Sequence, residues 1–273
     1  MAVTTRRTFL TDTTLGVAAS TLFTTSSPPA VGGNERVRVG IIGGSNQGKS
    51  HQLSLSALPN VKIAYVCDID EERLSQGVAR TGAKGVGDLR KILDDPSIDA
   101  VTIATPDHWH VPAALLALDA GKHVYVEKPS SYNFQESLML IEALENSKKV
   151  FQHGTQSRSC AGIRQAIDML HDGIIGDVLI AKCWNWQKRD DIGKQKPTKP
   201  PAGVDYDTWV GPANWLPFQS NRFHYDWHWW FNFGSGGMGN DGVHEVDYAL
   251  WGLGVTSQPT TVSGVGGIYY FKD

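Results

Sequence analysis

Cysteine is scarce, with three residues in a chain of 273. Cys67, Cys160 and Cys183 are odd in number, far apart and in no C-x-x-C spacing, which argues against a disulfide framework and a structural zinc site. An excess of one charge is also missing. Twenty-five Lys and Arg stand against 28 Asp and Glu, a net charge of −3. Such a balance offers nucleic acid or an anionic membrane no basic field. No apolar run approaches the roughly 20 residues needed to span a bilayer as a helix. His224 and His228 stand at i, i+4 but lack a third ligand at a telling spacing, so no metal is expected. Beyond the first thirty residues there is no low-complexity segment, and nowhere is there an internal repeat. With 41% hydrophobic and 19% charged residues, a chain of this length can bury a sizeable core without staples.

The first 33 residues read as a leader and not as fold. "TTRRTFL" (4–10) sets the pair Arg6-Arg7 before Phe9-Leu10, and a short apolar run at 15–23 and a loose Ser/Pro-rich stretch follow. That order matches a twin-arginine export signal, which predicts a periplasmic or cell-envelope location. The twin-arginine route carries folded proteins, which suits an enzyme that loads a cofactor before export.

From Arg36 the pattern alternates between strand and helix. Strands are predicted at 36–43, 61–68, 98–105, 123–128 and 150–156, with helices at 48–58, 70–82, 107–121 and 133–149 between them. Continuous apolar strands alternating with helices predict a doubly wound parallel sheet covered on both faces, an α/β domain over 36–155. After Gln156 the rhythm changes. A helix at 159–172, an alternating strand at 177–187, a long irregular aromatic-rich segment, a helix at 240–253 and a strand at 260–271 predict an α+β domain over 156–273. Its sheet is expected to be open and incomplete, with an unpaired edge that invites association.

The stretch "GGSNQGKS" (43–50) satisfies two motifs at once. It matches the phosphate loop G-x-x-x-x-G-K-[ST] letter for letter. It also approximates the dinucleotide fingerprint G-x-G-x-x-G, with Ser45 at the second glycine. Both use backbone amides and a helix N-terminus to hold phosphate oxygens. A dinucleotide site further needs an acid at the end of the next strand for the ribose hydroxyls. Asp68 ends that strand about 25 residues beyond Gly43, and an Asp there favours NAD while leaving NADP open. The competing choice, Asp99, begins its strand instead of ending it. Gly43, Ser45, Asn46, Gln47, Gly48 and Asp68 are therefore the expected cofactor contacts.

Downstream, a strand ends in Ala104-Thr105-Pro106, a helix opens on Asp107-His108-Trp109-His110, and the next strand ends in Glu127-Lys128-Pro129. With the upstream glycine loop, "GTQSRS" (154–159), "PPAGVDYDTWVGPA" (200–213) and the run 224–254, this chain resembles the glucose–fructose oxidoreductase / inositol dehydrogenase / MocA-type family. The resemblance covers nearly the whole chain. It implies NAD(P)-dependent hydride transfer at a carbinol carbon of a sugar, polyol or related carbohydrate. It also implies a homo-oligomer through the C-terminal sheet in a full-length chain. Members usually run well past 300 residues, so this chain is expected to be truncated. An alternative use of the cofactor is transient oxidation leading to net glycoside cleavage or elimination. Another is a non-catalytic protein that binds dinucleotide or sugar.

Residue roles follow from that resemblance. Lys128 would sit beside the nicotinamide and help to move the hydroxyl proton, a task suited to an amine whose pKa shifts readily on burial. Thr105, Pro106, His108, His110, Glu127 and Pro129 would line the cofactor crevice. His244 would be the acid/base partner, with Asn240 standing where the family carries an orienting aspartate and Asp241 one step round the helix. An amide can orient an imidazole but cannot stabilise its cation. Gln156, Asp247 and Trp227 complete the expected substrate contacts, Trp227 because aromatic faces stack on sugar C–H surfaces. The basic stretch Lys188, Arg189, Lys194, Lys196 and Lys199 reads as a solvated loop.

Overall fold

A computed structural model describes residues 36–187, 189–267 and 269. The leader with Arg6-Arg7 lies outside the described residues. No helix among those described is long and apolar enough to cross a membrane.

Six parallel strands make one sheet: β1 (Val37–Ile42), β2 (Val61–Cys67), β3 (Lys84–Val86), β4 (Ala100–Ile103), β5 (His123–Glu127) and β6 (Phe151–Gly154), in the order β3-β2-β1-β4-β5-β6. The order reverses between β1 and β4, and at such a switch point the loops beyond the strand ends part to leave a crevice. Helices α1 (Gln47–Ser56) and α2 (Glu71–Thr81) bring Leu55 and Leu74 against Ile41, Ile63 and Val66. A short α3 (Arg90–Leu93) follows β3. Helices α4 (His110–Asp119) and α5 (Phe134–Asn146) belong to the larger core, where Val111, Ala113, Ala117 and Leu140 join Val101, Ile103 and Val126. Each fully buried Val or Ile contributes about 1.5–3 kcal/mol. Covering both faces is what lets these strands be continuously apolar. The edge strand β3 was too short, at three residues, to register as a strand in the apolar pattern.

Helix boundaries follow local chemistry. Asp70 caps α2 by accepting from the amides of Glu72 and Arg73 at 2.9 and 3.3 Å, and Gly82 ends it at φ 66°. Asn133 caps α5 by accepting from the Glu136 amide at 3.0 Å, while the Glu136 carboxylate accepts from the Tyr132 amide at 3.0 Å. The predicted helix at 107–121 begins as a 3-10 turn over Asp107–Trp109 before α4.

Beyond β6 the chain forms α6 (Ala161–His171), α7 (Tyr206–Val210), a 3-10 turn at His224–Trp229, α8 (Gly236–Asn240) and α9 (Gly242–Leu253). Tyr206, Trp209, Val210, Phe218, Phe223 and Phe233 form a second core. This aromatic core is tied to the start of α2, since the Glu71 amide donates to the Gly203 carbonyl and the Asp205 amide to the Ile69 carbonyl.

Two expectations fail at the element level. The predicted strand at 177–187 is irregular, with Leu179, Ile180, Trp184 and Trp186 exposed. The described part of 260–271 is also without a strand. Alternation makes a strand only where a neighbouring edge accepts its hydrogen bonds, and the described parts of these stretches pair with none of the six strands. The predicted single helix at 240–253 is two helices that meet at Asp241, with Asn240 at the end of α8 and His244 in the first turn of α9.

Candidate active site

A cavity of about 1000 Å³ opens beyond the C-terminal ends of β1, β2, β4 and β5. One end is lined by Asp68, Arg73, Asp88 and Arg90, the middle by Gly43, Ser45, Asn46, Gln47, Thr105 and Pro106, and the other end by Lys128, Tyr225, Trp227, His228, Asn240 and Asp241.

The glycine loop is shaped by close contacts. Gly43 has φ 91°, and a Cβ there would meet the Ala104 carbonyl oxygen at 2.5 Å. At Gly48 a Cβ would lie 1.7 Å from the Gly43 carbonyl oxygen, so only glycine lets α1 approach the end of β1. Asn46 stands at the N-cap of α1 with φ 44° and makes no side-chain cap, and the first turn carries no acid. The positive end of α1 is therefore not neutralised by its own side chains. Asp68 accepts from the Gly44 amide at 2.8 Å and from the Asp70 amide at 3.1 Å. Burial pushes its carboxyl above the ordinary range, against the pull of those two amides. Lys49 is exposed and outside the cavity lining, so the phosphate-loop reading loses its key cation.

Around Lys128 the strand ends are cross-braced. The Lys128–Pro129 peptide is cis. Lys128 Nζ donates to the Asn240 carbonyl at 2.7 Å, linking the end of β5 to α8. Glu127 Oε1 lies 2.9 Å from His51 Nε2, and burial, the largest influence on this carboxyl, is outweighed so that its pKa falls. His110 Nδ1 lies 2.6 Å from the Pro129 carbonyl and its Nε2 lies 2.9 Å from the Thr105 carbonyl. His110 thus braces the ends of β4 and β5 while also lining the cavity.

Of the expected cofactor residues, Gly43, Ser45, Asn46, Gln47, Asp68, Thr105, Pro106, His110 and Glu127 line the cavity. Gly48 and Pro129 lie behind it as shaping residues. His108 does not line it. Its Nε2 bonds to the Trp209 carbonyl at 3.0 Å, its ring packs on Trp209 and Phe233, and burial pushes its pKa down to about 4. The 3-10 turn before α4 is what rotates it inward.

Among the expected catalytic and substrate residues, Lys128, Asn240, Asp241 and Trp227 line the cavity, whereas His244, Gln156 and Asp247 do not. His244 stands in the first turn of α9, and Gln156 is exposed on a 3-10 turn. Asp247 is held by Arg158, whose Nη2 lies 2.8 Å from its Oδ1, with the guanidinium over Trp251. That pair commits the carboxylate to a cation and leaves it off the cavity wall.

Arg189, read as part of a solvated loop, lines the cavity and pairs with Asp241, its guanidinium over Trp229. Tyr225, His228, Trp109 and Arg90 also line it. No local spacing announces Arg189, whereas the aromatic run 224–231 did mark Tyr225 and His228 as a segment of interest. The run divides its labour. Trp227, Tyr225 and His228 face the cavity, while Trp230 packs against the second core and donates to the Asn221 carbonyl at 2.6 Å.

The GFO_IDH_MocA oxidoreductase family model, with an NAD-binding Rossmann fold, matches residues 37–155, and that family's C-terminal alpha/beta domain matches residues 165–263. The chain belongs to the Gfo/Idh/MocA oxidoreductase family. A glycosyl hydrolase family 109 protein of Saccharopolyspora erythraea is 35% identical over 159 residues, 54% of this chain and 34% of the relative. An inositol 2-dehydrogenase/D-chiro-inositol 3-dehydrogenase of Lacticaseibacillus casei is 34% identical over 150 residues, 54% of this chain and 43% of the relative. Among solved structures, a levoglucosan dehydrogenase in complex with NADH aligns over 80% of this chain and 54% of that one, with TM-score 0.61 and 24% identity, which speaks for the fold. The matches span less than half the length of these two curated relatives.

The residues present fit the dinucleotide that this Gfo/Idh/MocA Rossmann domain implies. The loop has the close glycine contact at Gly43 and Gly48, the α1 N-terminus is uncapped, and Asp68 stands at the ribose position.

Proposed function

We propose that this chain is an NAD(P)-dependent oxidoreductase acting on a carbinol carbon of a sugar or polyol. The observation that carries the reading is the single crevice running from Asp68 past the Gly43–Gly48 loop to Lys128. When bound, the nicotinamide cofactor supplies the hydride chemistry. The chain's own residues bind and orient. Asp68 would accept from hydroxyls of the dinucleotide, and the loop amides and α1 N-terminus would hold its pyrophosphate. Lys128 presents an ammonium to the substrate oxygen, held in place by the Asn240 carbonyl. Trp227 and Tyr225 offer aromatic faces to the sugar, and the Arg189–Asp241 pair offers polar groups to its hydroxyls. The similarity to an inositol 2-dehydrogenase and to a levoglucosan dehydrogenase, 31% identical over 154 residues, supports a cyclic polyol or anhydrosugar as substrate.

The test is titration with NAD and NADP, followed by cofactor reduction assays with myo-inositol, levoglucosan and glucose. NAD binding that weakens about tenfold in Asp68→Ala, a loss of roughly 1.4 kcal/mol, is expected. Absence of binding by either dinucleotide would sink the reading. The second reading, net glycoside cleavage, rests on the similarity to glycosyl hydrolase family 109. Mass spectrometry separates the two, since a keto product with one NADH supports oxidation and a released monosaccharide without net NADH supports cleavage.

We also propose export by the twin-arginine route, on the strength of Arg6-Arg7 and the short apolar run after them. Replacing both arginines by lysine should keep the protein in the cytoplasmic fraction. Unchanged distribution between compartments would refute that.

A further inference from the structure

We propose that Asp107 is a positioning residue for Lys128, acting through Ser235 and the short helix α8; this rests on the oxidoreductase reading of the crevice. Asp107 stands in the turn after β4, Ser235 at the N-cap of α8 and Lys128 just past the end of β5. Three hydrogen bonds connect them. Asp107 Oδ2 accepts from the Ser235 amide at 3.0 Å and from the Ser235 hydroxyl at 2.6 Å. At the far end of α8 the Asn240 carbonyl accepts from Lys128 Nζ at 2.7 Å.

The acceptor that holds Lys128 is a main-chain oxygen. It belongs to the last turn of α8, where helix carbonyls lack an intrahelical donor and an ammonium is a favourable partner. No side chain at position 240 supplies it, so its place is set by where α8 sits. The five residues of α8 span about 7.5 Å, and an element that short follows its anchored end.

Ser235 is that anchor. Its hydroxyl makes no cap to the amides of α8 and is given to Asp107 instead. Gly239, one turn on, packs so closely that a Cβ there would lie 2.6 Å from Ser235 Cβ and Oγ. The His108 amide donates to the Phe233 carbonyl at 3.3 Å, a main-chain tie between the same two segments. From another direction Asn185 Nδ2 donates to the Gly237 carbonyl at 2.9 Å. Asp107 is only 1% exposed. A carboxyl at that depth is costly unless hydrogen-bonded, so releasing Ser235 would strand it, and the clamp resists movement of α8. The consequence for the reaction is geometric, because an amine that helps to move a hydroxyl proton must stay within hydrogen-bond reach of that oxygen.

The test uses the full chain and the variants Asp107→Ala, Asp107→Asn and Ser235→Ala. Lys128 is probed directly, by limited reaction with acetic anhydride and peptide mass spectrometry, with the exposed Lys49 as internal reference. Asp107→Ala is expected to raise the labelling of Lys128 relative to Lys49 about fivefold, the factor for one freed hydrogen bond. Asp107→Asn, whose amide oxygen still accepts from Ser235, is expected to stay near the unmodified chain, and Ser235→Ala to fall between the two. With whichever substrate turns over, Asp107→Ala should lower kcat about tenfold while KM and NAD affinity hold. A folded Asp107→Ala chain with unchanged Lys128 labelling overturns the proposal, as does an Asp107→Asn chain that behaves like Asp107→Ala. Where Asp107→Ala does not fold, Ser235→Ala decides: raised Lys128 labelling supports the clamp and unchanged labelling overturns it. Absence of NAD binding by the unmodified chain overturns the oxidoreductase reading instead, and the labelling arm needs neither cofactor nor turnover.

Discussion

Gly48 and Lys49 are adjacent and could not be more different in consequence. Gly48 is buried where any Cβ would collide with the Gly43 carbonyl, and Lys49 is exposed. Gly48→Ala should cost roughly 3 kcal/mol, as overpacking against rigid backbone does, and weaken NAD binding. Lys49→Ala should leave both unchanged, as urea unfolding and dinucleotide titration will show. A phosphate loop would invert that outcome. Both residues were legible in the motif. Which of the two mattered was visible only from outside the motif, from Asp68 after the next strand and from Glu127-Lys128-Pro129. His108 and His110 make the same point. They stand two apart at one helix start, yet one packs under Trp209 and the other braces Thr105 and Pro129. The 3-10 turn that separates their directions has no signature in residue type.

At the scale of elements, the capping chemistry is local. Asn133 and Glu136 form a reciprocal pair at the start of α5, and Asn133→Ala should lower stability by about 1 kcal/mol, measured by chemical denaturation. The Arg158–Asp247 pair ties the turn after β6 to α9. Asp247→Asn should weaken that tie and lower the melting temperature slightly, by the 0–1 kcal/mol of a half-exposed pair, without changing cofactor affinity. Loss of NAD binding in that variant would place Asp247 in the site after all. Strands 36–43 through 150–156 were legible because each is a continuous apolar run within reach of a neighbour. The stretches at 177–187 and 260–271 carry comparable patterns and form no described strand, since a strand is a relation between two segments and not a property of one.

For the whole molecule, the aromatic core that roofs the cavity depends on buried neutral histidine. The folded pKa of His108 is about 4, below the unfolded value near 6.5. Between those values the unfolded chain binds a proton that the folded chain does not, so stability is present above pH 6.5 and is lost as pH falls toward 4. His224, half-exposed and also lowered to about 4, adds in the same direction. The melting temperature should therefore drop between pH 7 and 5. His108→Gln, which can keep a donor to the Trp209 carbonyl, should reduce the loss by up to about 2 kcal/mol at pH 5. An acid profile identical in the two proteins would show that His108 is not the group responsible.

The sequence alone determined the sheet, its alternation with helices, the glycine loop, the acid Asp68 just past the second strand and the Glu127-Lys128-Pro129 strand end. All of these rest on periodicity, turn chemistry or short fixed spacing. Tertiary structure decided the far wall of the site. Arg189 entered it, His244 and Asp247 left it, and His228 came to line the same cavity as Lys128 from about a hundred residues along the chain. Those outcomes depend on how an irregular aromatic segment and the helices that follow it pack. Long-range packing of that kind is set by which surfaces fit together, and no local pattern encodes it.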